Sequence, residues 1–159
     1  MDKIEFKLNL ATVQNGIFAH VSIFINEINI LDYLKCTGED GRLYDNHSEL
    51  SIDDLCNILY YKDHNEWYAD GRITILGCSC GDRDCGPFKV RLEETGYSVI
   101  WEDFHSRVDT LNLLINKFEF EKSQYSEQIE SLSKMLKSQS VIKMKIDMRR
   151  FELEDRQLN

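Results

Sequence analysis

The stretch Lys89-Val90-Arg91-Leu92-Glu93-Glu94-Thr95-Gly96-Tyr97-Ser98-Val99-Ile100-Trp101-Glu102-Asp103-Phe104 decides the fold class. Apolar and polar residues alternate up to Glu94, a turn signal follows, and branched and aromatic residues resume. That is the pattern of two strands joined by a tight loop. A two-residue loop at Thr95-Gly96 gives arms over 89–94 and 97–104. It sets Leu92 opposite Val99, Val90 opposite Trp101, Arg91 opposite Ile100 and Lys89 opposite Glu102. Val90, Leu92, Val99 and Trp101 then share one face, expected in the core.

Strands also open the chain. Ile4, Phe6, Leu8 and Leu10 alternate with polar residues, a turn falls near Asn15-Gly16, and Phe18, His20, Ser22 and Phe24 interleave with Val21, Ile23 and Ile25. An antiparallel pair is expected. The apolar run continues through Ile28, Ile30 and Leu31 as a further short strand or a turn of helix. Ser51 followed by Asp54 resembles a helix start, and Ile52, Leu55, Cys56, Leu59 and Tyr60 recur at helical spacing, which predicts a helix over 51–62. Asp70-Gly71 signals a turn before a short strand from Arg72 to Gly77.

Toward the C-terminus, Tyr125, Ile129, Leu132, Met135 and Leu136 begin a long helical pattern. Unbroken to Gln157 it would span about 54 Å, more than a small domain covers. A bend is predicted at Ser138-Gln139-Ser140, followed by a second apolar set: Val141, Ile142, Ile146, Met148, Phe151 and Leu153. The expected fold class is α+β: a single antiparallel sheet of hairpins with one short internal helix over 1–121, then a long, broken C-terminal helical segment over 122–159. That segment should pack on the core or on a partner chain, where it is a candidate homo-oligomer contact.

A length of 159 residues and a hydrophobic fraction of 42% suit one domain with its own core. The N-terminus lacks a basic stretch followed by an apolar one, and no run approaches the roughly 18 apolar residues of a membrane span. Five scattered cysteines do not form the even framework of a small secreted scaffold, so a reducing, cytoplasmic setting is expected, with no membrane partner.

The net charge of −9 is unevenly spread. Within 36–70, nine acidic residues stand against Arg42 and Lys62, a net of −7. Such a field repels nucleic-acid phosphates and attracts basic partners, although it also serves plain solubility. Glu39, Asp40, Asp45, Glu49, Asp53 and Asp54 are the candidate partner-binding residues. The basic cluster Lys134, Lys137, Lys143, Lys145, Arg149 and Arg150 suggests a solvated helix face or an acidic partner. It does not offset the acidic middle enough to argue for nucleic acid.

Between Gly77 and Pro87 lie Cys78, Cys80 and Cys85, three glycines and the only proline. Zinc takes thiolate and imidazole ligands in a tetrahedron, and this loop offers three, with His105 the preferred fourth because the hairpin returns toward the loop; His64, His47 and Cys56 are alternatives. Two extended positions hold Cys78 and Cys80 about 6.6 Å apart, whereas thiolates sharing a zinc sit near 3.8 Å, so the chain must bend at Ser79 to bind metal. A glycine-supported turn with inert buried thiols and no cofactor is the simpler alternative, and a Cys80 to Cys85 disulfide is a third. A nucleophilic thiol needs a positive field, and Asp82 and Asp84 offset Arg83.

Leu76-Gly77-Cys78-x-Cys80-Gly81, then Cys85-Gly86-Pro87, then Val99-Ile100-Trp101-Glu102-Asp103-Phe104 resembles an uncharacterised family of small bacterial proteins. That family carries the same order of Leu-Gly-Cys-x-Cys-Gly, Gly-Cys-Trp-Pro and Trp-x-Asp-Phe elements. Phe118-Glu119-Phe120 with Gln124-Tyr125 is similar to its later element, so the likeness covers roughly 70–132. Gly86 departs from it, standing where tryptophan is frequent. The resemblance implies a shared fold and a bacterial or phage source, and it brings no activity or site residues.

The four histidines fall in no zincin pattern, and there is no nucleophile elbow or phosphate loop, so the chain is expected not to be an enzyme. The leading expectation is a non-catalytic protein-interaction module, such as an inhibitor or immunity-type protein that offers its acidic 36–70 segment to a basic protein. The alternative is a zinc-binding accessory domain built on the cysteine loop.

Overall fold

The computed structural model describes residues 1–13, 16–34, 50–51, 71–77, 86–106 and 116–138. Strands β1 (Ile4–Val13) and β2 (Gly16–Ile25) form the expected opening hairpin. Its antiparallel ladder runs unbroken from Ile4 opposite Ile25 to Val13 opposite Gly16. Both alternatives for the next segment occur in turn: β3 (Ile28–Asn29) is followed directly by α1 (Ile30–Tyr33). Asn26 and Glu27, with φ of 53° and 68°, make the two-residue turn between Ile25 and Ile28, the left-handed geometry that matches strand twist in a tight hairpin. Asn29 ends the strand because its side chain accepts a hydrogen bond from Leu31 N at 2.9 Å, which caps the helix. β4 (Leu50–Ser51) pairs with Val21 and His20 of β2. Ser51 thus belongs to a strand and does not open a helix as expected; the rest of the predicted 51–62 helix lies outside the described residues.

The second sheet is antiparallel, in the order β5 (Arg72–Leu76), β6 (Phe88–Glu94), β7 (Ser98–His105), β8 (Lys117–Glu121). The β6–β7 hairpin is present with a corrected loop. Its tip is Gly96-Tyr97: Thr95 N donates to Ser98 O at 2.8 Å, and the Thr95 hydroxyl accepts from Ser98 N at 2.9 Å. Thr95 therefore acts as the closing residue of the turn. Leu92 faces Trp101, Glu94 faces Val99, Glu93 faces Ile100 and Arg91 faces Glu102. Each partner differs from the expected one by two positions, and a shift of two preserves the face. Val90, Val99 and Trp101 are buried accordingly, and Leu92 packs against the core.

The expected single sheet is instead two. They meet at one parallel bridge, Asp2 with Phe120. Asp2 N donates to Glu119 O at 2.8 Å and Asp2 Oδ2 accepts from Glu119 N at 2.9 Å, while Asp2 Oδ1 accepts from Asn26 Nδ2 at 2.8 Å. Beyond this joint the ladder cannot continue, because α2 (Lys122–Ser138) takes the free edge of β1. Gln124 Nε2 donates to Ile4 O at 2.6 Å and Gln124 Oε1 accepts from Ile4 N at 3.3 Å; one turn later Gln128 Oε1 accepts from Phe6 N at 3.4 Å. These carboxamides satisfy backbone groups that a neighbouring strand would otherwise bind.

One core serves both sheets and both helices, and includes Ile4, Phe6, Val21, Ile23, Ile25, Ile75, Val90, Trp101, Phe120, Tyr125, Leu132 and Leu136. The predicted α2 stripe faces it, with Ile129 partly buried, whereas Met135 is 38% exposed. Trp101 meets Phe120 and Tyr125 edge to face, with ring centres 5.5 and 6.2 Å apart. Each large side chain so buried contributes roughly 1.5–3 kcal/mol. The predicted bend at 138–140 and the second apolar set lie outside the described residues.

Candidate functional site

At one end of the second sheet β5 stops, β6 starts and β7 stops. Leu76 is opposite Phe88, and Lys89 is opposite His105. Gly77 and Gly86, which flank the cysteine loop in sequence, thereby lie toward the same end of the sheet as the last residue of β7, with β6 between β5 and β7. Phe88 is fully buried and stacks on Phe104 with ring centres 5.7 Å apart, and Phe104 meets Phe118 edge to face at 6.0 Å, so this end is anchored by aromatic packing. Gly86 has φ of 143°, a conformation that only glycine adopts without strain. A tryptophan there would be strained.

Lys89 was expected opposite Glu102 and stands opposite His105 instead. Two of those three positions come from the corrected loop, and the third from a bulge in β7 at Asp103, whose φ of 53° is left-handed. Arg72 and Arg91 hold this bulge: their guanidinium groups reach Asp103 Oδ2 at 2.7 and 2.9 Å, and Arg72 Nε donates to Asp103 O at 3.2 Å. Sequence reasoning missed this clamp, since Arg72 and Asp103 are 31 positions apart and no short-range pattern links them. The extra residue leaves exposed His105 level with Lys89, one position short of Phe88, where an unbulged strand would put it.

Of the four proposed metal ligands the described residues contain His105 alone; Cys78, Cys80 and Cys85 lie outside them, as do His47, His64 and Cys56. Among the described residues no three His, Cys, Asp or Glu side chains converge as a metal site would require. The six acidic candidates, Glu39, Asp40, Asp45, Glu49, Asp53 and Asp54, also lie outside. Their segment is nevertheless tied to the first sheet, because β4 falls between Glu49 and Asp53 in sequence and pairs with β2. The described residues carry nine Lys and Arg against twelve Asp and Glu, a net of −3.

Comparison with family models, curated proteins and solved structures found no match. Among the described residues no helix is long and apolar enough to cross a membrane. Tyr33 has a clear shift in acidity. Its phenol is held above the ordinary value of 10.0, first by burial and then by the charge of Asp2, against an opposing hydrogen bond from Asn26. Tyr33 Oη donates to Ile25 O at 3.0 Å and the ring meets Phe118 edge to face, so Tyr33 ties the two sheets together.

Proposed function

We propose that this chain is a non-catalytic protein-interaction module that presents its acidic 36–70 segment to a basic protein partner, as an inhibitor or immunity-type protein would. The observation that carries this reading is the distribution of charge. The described framework is near balance at −3, whereas 36–70 alone holds −7. In sequence that segment runs from after α1 to before β5, with β4 within it. A cytoplasmic setting and membership of the bacterial family that the motifs resemble belong to the same proposal. The test uses a lysine- and arginine-rich peptide as probe. Calorimetric binding should weaken steeply with salt and fall at least about tenfold when Glu39, Asp40, Asp45, Glu49, Asp53 and Asp54 become Gln or Asn. Unchanged affinity in that variant overturns the reading.

A second reading rests on one geometric observation, that His105 lies at the end of the second sheet where β5 stops and β6 starts, the two strands that flank the cysteine loop in sequence. It makes the loop a zinc site with Cys78, Cys80, Cys85 and His105 as ligands. Metal analysis of protein purified without chelator decides it. About one zinc per chain, lost in His105→Ala, supports this reading; less than about a tenth of that removes it.

A further inference from the structure

We infer that Asp103, held by two guanidinium groups, is the positioning residue that makes His105 available as a zinc ligand. The inference deepens the zinc reading above and rests on it. It starts from the ladder between β6 and β7. Arg91 faces Glu102, Leu92 faces Trp101 and Glu94 faces Val99. A regular continuation would set Asp103 opposite Val90, Phe104 opposite Lys89 and His105 opposite Phe88. Directly opposed residues share a face, and Val90 and Phe88 are fully buried. That register would turn the Asp103 carboxylate and the His105 imidazole into the core and Phe104 away from it. A histidine binds metal through a ring nitrogen that has to reach the ion, so an imidazole enclosed beside Phe88 could not serve.

The observed register inverts all three placements. His105 stands opposite Lys89 with its side chain exposed, and Phe104 stacks on Phe88 with ring centres 5.7 Å apart. The extra residue is Asp103, left-handed at φ 53°, and its Oδ2 accepts from Arg72 and Arg91 at 2.7 and 2.9 Å. Arg72 Nε also donates to Asp103 O at 3.2 Å, so β5 holds the backbone of the bulge as well as its side chain. Left-handed backbone is open to glycine, tolerated by aspartate and disfavoured for a β-branched residue. Residue 103 therefore decides whether the end of β7 offers solvent an imidazole or a phenyl ring.

The test uses the full chain, Asp103→Gly, which keeps the left-handed backbone, Asp103→Val, which opposes it, and His105→Ala. Zinc affinity is read by competition with a chromophoric chelator, and the ligand set by the cobalt(II) absorption spectrum. Diethyl pyrocarbonate labelling after chelator treatment, mapped by mass spectrometry, reads the exposure of His105. Wild type and Asp103→Gly should bind zinc within about threefold of each other and label at His105. Asp103→Val should bind at least about tenfold more weakly, give the cobalt spectrum of His105→Ala and be protected at that histidine. Far-UV circular dichroism reports whether each variant is folded. If Asp103→Val is not, Arg72→Gln combined with Arg91→Gln releases the clamp while keeping residue 103, and takes its place with the same expected losses. Zinc affinity or His105 labelling unchanged in the releasing variant overturns the proposal and leaves the zinc reading standing, as does an equal loss of zinc in Asp103→Gly. A wild-type chain that binds no zinc removes both, and zinc that survives His105→Ala removes His105 from the ligand set and the proposal with it.

Discussion

Replacing Asp2 by Ala removes the side chain that fastens one sheet to the other. Two hydrogen bonds go: Oδ2 to Glu119 N at 2.9 Å, part-buried, and Oδ1 to Asn26 Nδ2 at 2.8 Å, exposed. The first leaves a backbone N–H without its charged acceptor and costs about 1.5 kcal/mol; the second, competing with water, costs about 0.5 kcal/mol. The sum, about 2 kcal/mol, is a sizeable part of the stability of a domain this size and lowers Tm by about 4–8 °C. In urea titrations followed by tryptophan fluorescence the midpoint should fall with no change in slope, since the surface exposed on unfolding is the same. Asp2→Asn keeps one acceptor for Glu119 N and should lose about half as much. In an Asn26→Ala background the Asp2→Ala loss should shrink, because the two residues share a bond. A loss below about 0.5 kcal/mol for Asp2→Ala would show that the joint is held by other contacts and refute the reasoning.

Three further outcomes are expected. Glu27→Gly should stabilise the chain by about 0.5–1 kcal/mol, since relief of a left-handed non-glycine residue outweighs glycine's entropy in the unfolded chain; a lower unfolding midpoint would contradict this. Because the Tyr33 pKa is raised on folding, the native state keeps a proton that the unfolded chain loses. Its stabilising contribution is complete below pH 10.0 and is lost as pH rises through the folded value. Tyr33→Phe should therefore flatten the alkaline fall in stability, and an equally steep fall in the variant would exclude Tyr33 as its source. Finally, the acidic flanks of Arg83 leave no net positive field to make Cys85 a thiolate, so iodoacetamide at pH 6 should label no cysteine of the folded protein rapidly. Mass spectrometry finding one site modified within minutes would count against it.

What was legible in the sequence was whatever depends on period. The Val90, Val99 and Trp101 face and the Tyr125, Leu132 and Leu136 stripe follow from spacings of two and of three to four, and neither needs a distant residue. The hairpin register needed the turn chemistry of Thr95, whose hydroxyl closes the loop one residue later than a glycine-centred turn would. The division into two sheets was not legible, since it depends on Gln124 and Gln128 reaching β1 across roughly 120 positions of sequence. At the candidate site the return of His105 to the end of the sheet where β5 stops and β6 starts was legible from the hairpin. Its exact partner was not, because a bulge stabilised by Arg72 and Arg91 carries no local signature.

The contact between α2 and β1 works as a vernier. Four residues of helix advance about 6.0 Å, and two residues of strand advance about 6.6–6.8 Å, so two rulers with nearly equal divisions lie side by side. Each repeat slips by less than 1 Å, which a glutamine absorbs once but not indefinitely. The Gln124 carboxamide makes two bonds to Ile4 and that of Gln128 makes one, at 3.4 Å, to Phe6. At the third division stands Leu132, which makes no such bond and is fully buried in the core. The slippage thus sets how far a helix can imitate a strand here: two graduations, after which apolar packing takes over and exact alignment no longer matters.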